Sequence, residues 1–187
     1  MNIWNEYQQQ ALTTAIYPVD REVDYTIDGL GSEIGELGEK YLEAKLSYYG
    51  TFKPEISRED ALGECGDILW YAAAVADALN TPLGHIMEGP APVGVLVGYS
   101  KGLTYVSMTV SHGKMLGIIK KSIRDNDGFL ADAHREALKV ELHKIIWHTM
   151  MFIEALGGSL QGVMAKNLNK LADRKNRGVL QGSGDRR

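Results

Sequence analysis

Two pairs of acidic residues carry the chemistry this chain could perform. Glu33 and Glu36 stand in GSEIGELGEKY, and Glu64 and Asp67 stand in ALGECGDILWYAAAVADAL. A spacing of three puts both members of a pair on one helical face. Four carboxylates gathered at one place repel each other and lose solvation, so a cation must compensate. Hard divalent ions such as Mg²⁺ do so through oxygen ligands. The pattern therefore points to a metal-dependent site on two helices, acting on a phosphate ester or anhydride.

The two pairs share a phase. In the first helix Leu30, Ile34, Leu37, Tyr41 and Ala44 form an apolar stripe. In the second, Ala61, Cys65, Ile68, Leu69, Ala72, Val75, Ala76 and Leu79 do. The second acid of each pair is followed at once by a stripe residue, Leu37 or Ile68. At about 100° per residue, each pair lies on the same flank of its stripe. Two helices packed through those stripes aim all four acids into one groove. A single such pair is most often solvated surface charge; two pairs in matched phase are not so easily dismissed.

The elements around them read as helices. An amphipathic pattern covers 3–16 and ends near Pro18. The acid-bearing helices span about 29–48 and 57–79, joined by a turn from Gly50 to Pro54. A short helical piece after Thr81-Pro82 stops before Gly89-Pro90-Ala91-Pro92, the strongest linker signal in the chain. Further helical patterns lie at roughly 93–106, 108–124, 132–156 and 159–173. Val93–Val97 could pass for a buried strand, but its neighbours favour helix. The expected fold class is all-α. It divides into a unit at 1–88 that carries the acids and a second at 89–187 that ends in a Gly/Arg-rich tail, the two forming one compact domain.

The second unit reads as a decayed copy of the first. ECGDILWYAAAVADALNTPL aligns with ELHKIIWHTMMFIEALGGSL, so that Glu64 meets Glu141, Ile68 meets Ile145, Trp70 meets Trp147 and Leu79 meets Leu156. With one residue of slippage the earlier helix aligns too: Leu30 with Met108, Leu37 with Met115, Tyr41 with Ile119, although Ile34 falls on His112. Apolar positions persist while acids do not. Glu33 meets Ser111, Glu36 meets Lys114 and Asp67 meets Lys144. Such a set cannot hold Mg²⁺, so one metal centre per chain is expected. Lys114 and Lys144 read as solvated lysines or as charges standing where a metal would be.

Composition narrows the rest. The chain has 187 residues, a 44% hydrophobic fraction and a formal net charge of −4. That supports a real core and gives no basic signature for duplex nucleic acid. A lone cysteine, Cys65, allows no intramolecular disulfide and sits on a stripe as a buried thiol. No basic leader precedes an apolar run, and no stretch reaches membrane-span length. A soluble, cytoplasmic protein is expected. His85, His112, His134, His143 and His148 show no zinc spacing, and no GxxxxGK[ST] phosphate loop occurs. Trp70 and Trp147 read as core. Trp4, Gln8 and Tyr17 could meet a base but read first as packing residues.

GLGSEIGELGEK followed by EDALGECGDILWYAAAVADAL resembles the ExxE…ExxD signature of the MazG-like all-α nucleoside triphosphate pyrophosphohydrolases. YQQQALTTAIYP and NLNKLADRKNRGVLQGSGDRR resemble the ends of small bacterial and phage members. The resemblance implies a MazG-like helical bundle, here of two tandem units. It also implies dependence on Mg²⁺, with Mn²⁺ able to substitute, and hydrolysis of a (deoxy)nucleoside triphosphate to the monophosphate and pyrophosphate. Dimeric dUTPases and phosphoribosyl-ATP pyrophosphohydrolases look similar. Carried over, Glu33, Glu36, Glu64 and Asp67 would be catalytic metal ligands, and Asn167, Lys170 and Arg174 would lie near the nucleotide phosphates. A homo-oligomer, at least a dimer, is implied by stripes that two short hairpins cannot cover. The rival expectation is a non-catalytic nucleotide-binding or protein-interaction module that retains the fold.

Overall fold

The computed structural model describes residues 2–48, 58–92 and 100–181, and every element among them is helical. The helices are α1 (Ile3–Leu12), α2 (Glu22–Tyr48, entered through a 3₁₀ turn at Val19–Arg21), α3 (Arg58–Ala78), α4 (Leu83–Ile86), α5 (Lys101–Asn126), α6 (Asp132–Ala155) and α7 (Leu160–Asn176). The turn expected at 50–54, the pattern at 93–97 and the last residues of the tail lie outside the described residues.

Two boundaries differ from the sequence expectation. Helix α2 begins at Glu22 rather than near 29, because the buried Ile27 and then Val23 extend its stripe one and two turns upstream of Leu30. The patterns at 93–106 and 108–124 are not two helices. From Lys101 onward they form one, α5, capped by the Ser100 side chain, which accepts from the Leu103 N–H at 3.3 Å. It ends where Asp127 and Gly128 turn left-handed, at φ 49° and 83°.

The four long helices form a closed ring of contacts: α2 on α3, α3 on α6, α6 on α5 and α5 on α2. Within that ring Leu30, Leu37, Ile68, Leu69, Met108, Met115, Leu142 and Ile145 are fully buried. The hairpins α2–α3 and α5–α6 thus meet with α2 on α5 and α3 on α6. Helices α1, α4 and α7 pack on the remaining side of α3. This makes α3 the central rod, which explains its run Ala72-Ala73-Ala74-Val75-Ala76. A helix with neighbours on every side needs small apolar residues on every side, and all five are buried. Cys65 belongs to the same core, where burial pushes its thiol pKa up to about 12.

Helix α1 is tied to α3 by polar bonds as well as by Trp4, Tyr7 and Ala11. The buried Gln8 amide donates to the carbonyls of Ala73 at 3.2 Å and Thr81 at 3.4 Å, while its oxygen accepts from the Leu83 N–H at 2.8 Å. Trp70 Nε1 donates to the Ala11 carbonyl at 3.0 Å and to Thr14 Oγ1 at 3.1 Å. Gln8 is therefore a structural residue.

Candidate metal centre

Packing α2 against α3 turns the flanks of the two stripes toward each other. Glu33, Glu64 and Asp67 then each place a carboxylate oxygen within 4.8 Å of the other two. Glu64 is buried, with its side chain 1% exposed, and Glu33 and Asp67 are half-buried. Glu36 is exposed and stands outside this trio. The sequence thus places three of its four acids in one cluster and the fourth on its rim.

Cations already stand on these acids. Lys40, one turn beyond Glu36 on α2, forms an ion pair with the buried Glu64. Lys170 of α7 donates to Asp67 Oδ2 at 2.5 Å. Asn167, one turn earlier on α7, donates from Nδ2 to Asp67 Oδ1 at 2.7 Å. Asn167 is 3% exposed, so it meets a metal-ligand candidate rather than open solvent. Arg174 is buried one turn further along α7. Tyr7 of α1 donates to Asn167 Oδ1 at 3.2 Å, and burial, with Asp67 adding to it, raises the phenol pKa so that it stays a donor.

An aromatic group borders the acids. Tyr17 stacks on Tyr25 with ring centroids 5.4 Å apart, and Tyr71 meets Trp70 at 4.9 Å. Burial raises the Tyr71 pKa, with Tyr25 and then Glu33 and Asp67 adding to it. Gly29 allows this arrangement. A β-carbon there would run into the Tyr71 ring.

The donor set fits a hard divalent ion. All three groups offer carboxylate oxygen, and an octahedral Mg²⁺ needs ligand oxygens about 3–4 Å apart. The trio's oxygens, within 4.8 Å of one another, must draw closer to meet that spacing. The corresponding place in the other hairpin does not fit. There Glu141 is buried and paired with Lys144 at 2.6 Å and Lys114 at 4.0 Å, and Ser111 is buried without any carboxylate to offer. Lys144 is a paired residue, while Lys114 is largely solvated. His85 is exposed and lies 3.3 Å from Glu88, while other histidines meet backbone carbonyls. His112 Nε2 lies 2.9 Å from the Ile27 carbonyl, and His148 Nδ1 lies 2.6 Å from that of Lys144.

Sequence reading missed Lys40 and Tyr7. Lys40 stands four residues after Glu36, a spacing that marks an ordinary solvated pair and singles out no site. Tyr7 looked like one more stripe residue, and the partner of its hydroxyl is 160 positions away.

Among known proteins, the chain is 40% identical over 89 residues to the Gene 37 protein of Mycobacterium phage L5, covering 46% of this chain and 78% of the phage protein. The chain belongs to that protein's family. No family model matches this chain, and no solved structure does. The name Gene 37 protein states no activity, so the chemistry is argued from the geometry. No helix of the described residues is long and apolar enough to cross a membrane.

Proposed function

We propose that this protein is a divalent-metal-dependent nucleoside triphosphate pyrophosphohydrolase of MazG-like type. The observation that carries the reading is the convergence of Glu33, Glu64 and Asp67 with Lys40 and Lys170 beside them. A hard-oxygen set with lysines at its edge suits a substrate that is itself a metal–polyphosphate complex. Bound there, Mg²⁺ would supply charge neutralisation and a more acidic water.

The chain's own residues do the rest. Glu33, Glu64 and Asp67 would hold the ion, and Glu36, exposed one turn from Glu33, could join them. One carboxylate orients the attacking water, whose oxygen bonds to the α-phosphorus as the bond to the bridging oxygen breaks. Pyrophosphate leaves and the nucleoside monophosphate keeps the water oxygen. Lys40 and Lys170, paired with Glu64 and Asp67 here, would be free to pair with phosphate oxygens once a divalent ion was held by those carboxylates. The Tyr17–Tyr25–Tyr71 group offers aromatic faces for a base. The α5–α6 hairpin is read as a second copy of α2–α3. Its support is the pairing of corresponding helices across the ring and the equivalence of Glu141 with Glu64.

The test is pyrophosphate release over the common ribo- and deoxyribonucleoside triphosphates with Mg²⁺, with the monophosphate product identified chromatographically. Glu64→Gln and Asp67→Asn should each lower turnover by orders of magnitude in folded protein. Near-native turnover in both, or no hydrolysis of any triphosphate, would sink this reading in favour of a binding module.

A further inference from the structure

Asp67 meets α7 through both of its oxygens, and the two contacts differ in kind. At Oδ2 the donor is the Lys170 ammonium, a cation that an incoming divalent ion displaces. At Oδ1 it is the neutral Asn167 amide, 2.7 Å away, which leaves no charge to compete. An aspartate carboxylate has a broad, roughly two-fold torsional preference about its last bond. Something must fix its plane if it is to face Glu33 and Glu64 as a ligand. The amide does so only if its NH₂ end faces Asp67. Tyr7 sets that orientation by donating its hydroxyl to the amide oxygen at 3.2 Å. Both residues are 3% exposed. The next acceptor near the hydroxyl, the Gly66 carbonyl, is 3.5 Å away.

We propose that Tyr7 and Asn167 are positioning residues for Asp67: the hydroxyl orients the amide, and the amide orients the carboxylate toward the metal. Asn167 therefore acts through Asp67 rather than by touching the nucleotide. The inference rests on the metal-centre reading above. It follows the general behaviour of groups behind a metal ligand, whose loss costs about 10- to 100-fold in metal affinity.

Mn²⁺ binding without nucleotide, followed by electron paramagnetic resonance, tests it, alongside thermal melts in chelator. Tyr7→Phe removes one oxygen and keeps the ring between α1 and α3. Its Mn²⁺ dissociation constant should rise about 5- to 10-fold, and that of Asn167→Ala about 10- to 100-fold. Once the amide is gone the hydroxyl has nothing to orient, so the double variant should bind Mn²⁺ as Asn167→Ala alone does. A purely structural role would instead give additive losses. Additivity, or a Tyr7→Phe affinity within twofold of the unaltered protein, overturns the proposal. If Asn167→Ala does not fold, the Tyr7→Phe value decides alone. If the unaltered protein binds no Mn²⁺, the metal reading and this inference both fall. Normal Mn²⁺ binding with unchanged variants overturns the inference only.

Discussion

Replacing Lys170 with methionine should strengthen metal binding, the opposite of what most changes near a metal site do. The ammonium lies 2.5 Å from Asp67 Oδ2, so the ion must displace it. A hydrogen bond between charged partners contributes about 1.5–3 kcal/mol. The two side chains are 26% and 16% exposed, and partial solvation argues for the low end, about 1.5 kcal/mol. Since about 1.4 kcal/mol corresponds to tenfold in affinity, the Mn²⁺ dissociation constant of Lys170→Met should fall about tenfold. In chelator the same variant leaves three carboxylates facing one fewer cation. Its melting temperature should drop by about 3–6 °C, at about 2–4 °C per kcal/mol for a chain of this size. Saturating Mn²⁺ should restore the loss. Triphosphate affinity should fall, because the lysine is then missing from the phosphates. Calorimetric titration of Mn²⁺ into metal-free wild-type and variant proteins reads the sign directly. Unchanged or weaker Mn²⁺ binding by a folded variant would refute the idea that Lys170 holds the metal's place.

Three more outcomes can be checked. Gly66→Ala places a methyl 3.0 Å from Asn167 Cβ; the gain in helix propensity, about 1 kcal/mol, offsets much of the crowding, so the melting temperature should change little while Mn²⁺ affinity falls several-fold. The His148 pKa is held below the ordinary imidazole value by burial, which outweighs the opposing hydrogen bond to the Lys144 carbonyl. The unfolded chain therefore binds the proton more readily, and stability present above about pH 6.5 is lost as pH falls below it. The urea midpoint should drop more between pH 7.5 and 5.5 in wild type than in His148→Gln. Gln8→Leu strands the Leu83 N–H and the Thr81 carbonyl and removes a second donor from the Ala73 carbonyl, at about 1–3 kcal/mol per stranded buried group. Its melting temperature should fall by at least about 5 °C.

Helix type and phase were legible because hydrophobic spacing is a local signal. The stripes through Ile34 and Leu37, and through Ile68 and Leu69, put Glu33, Glu64 and Asp67 on facing flanks, and the structure brings those three together. Glu36 obeyed the same spacing rule, yet it is exposed. A three-residue step rotates a side chain by about 60°, enough to carry it past the rim of the groove. The start of α2 was misread because Asp28-Gly29-Leu30-Gly31 carries turn residues. Here Gly29 gives Tyr71 room against the helix, a requirement set by a residue of α3. Asn167 and Lys170 entered only through resemblance, with phosphates as their expected partners. Their bonds to Asp67 depend on how α7 docks, which no local pattern encodes.

The bonds that complete the centre are also its most distant in the chain. Asp67 waits for partners 100 and 103 positions later, and Asn167 for one 160 positions earlier. Contacts of such separation form only after the intervening loops have been closed against their entropy. During synthesis α2 and α3 can pair early, but Asp67 has no fixed orientation until α7 has emerged and settled beside α1. A nascent or truncated chain would carry acids without their alignment. On the proposed metal-centre reading, metal affinity would report whether α1 and α7 have met.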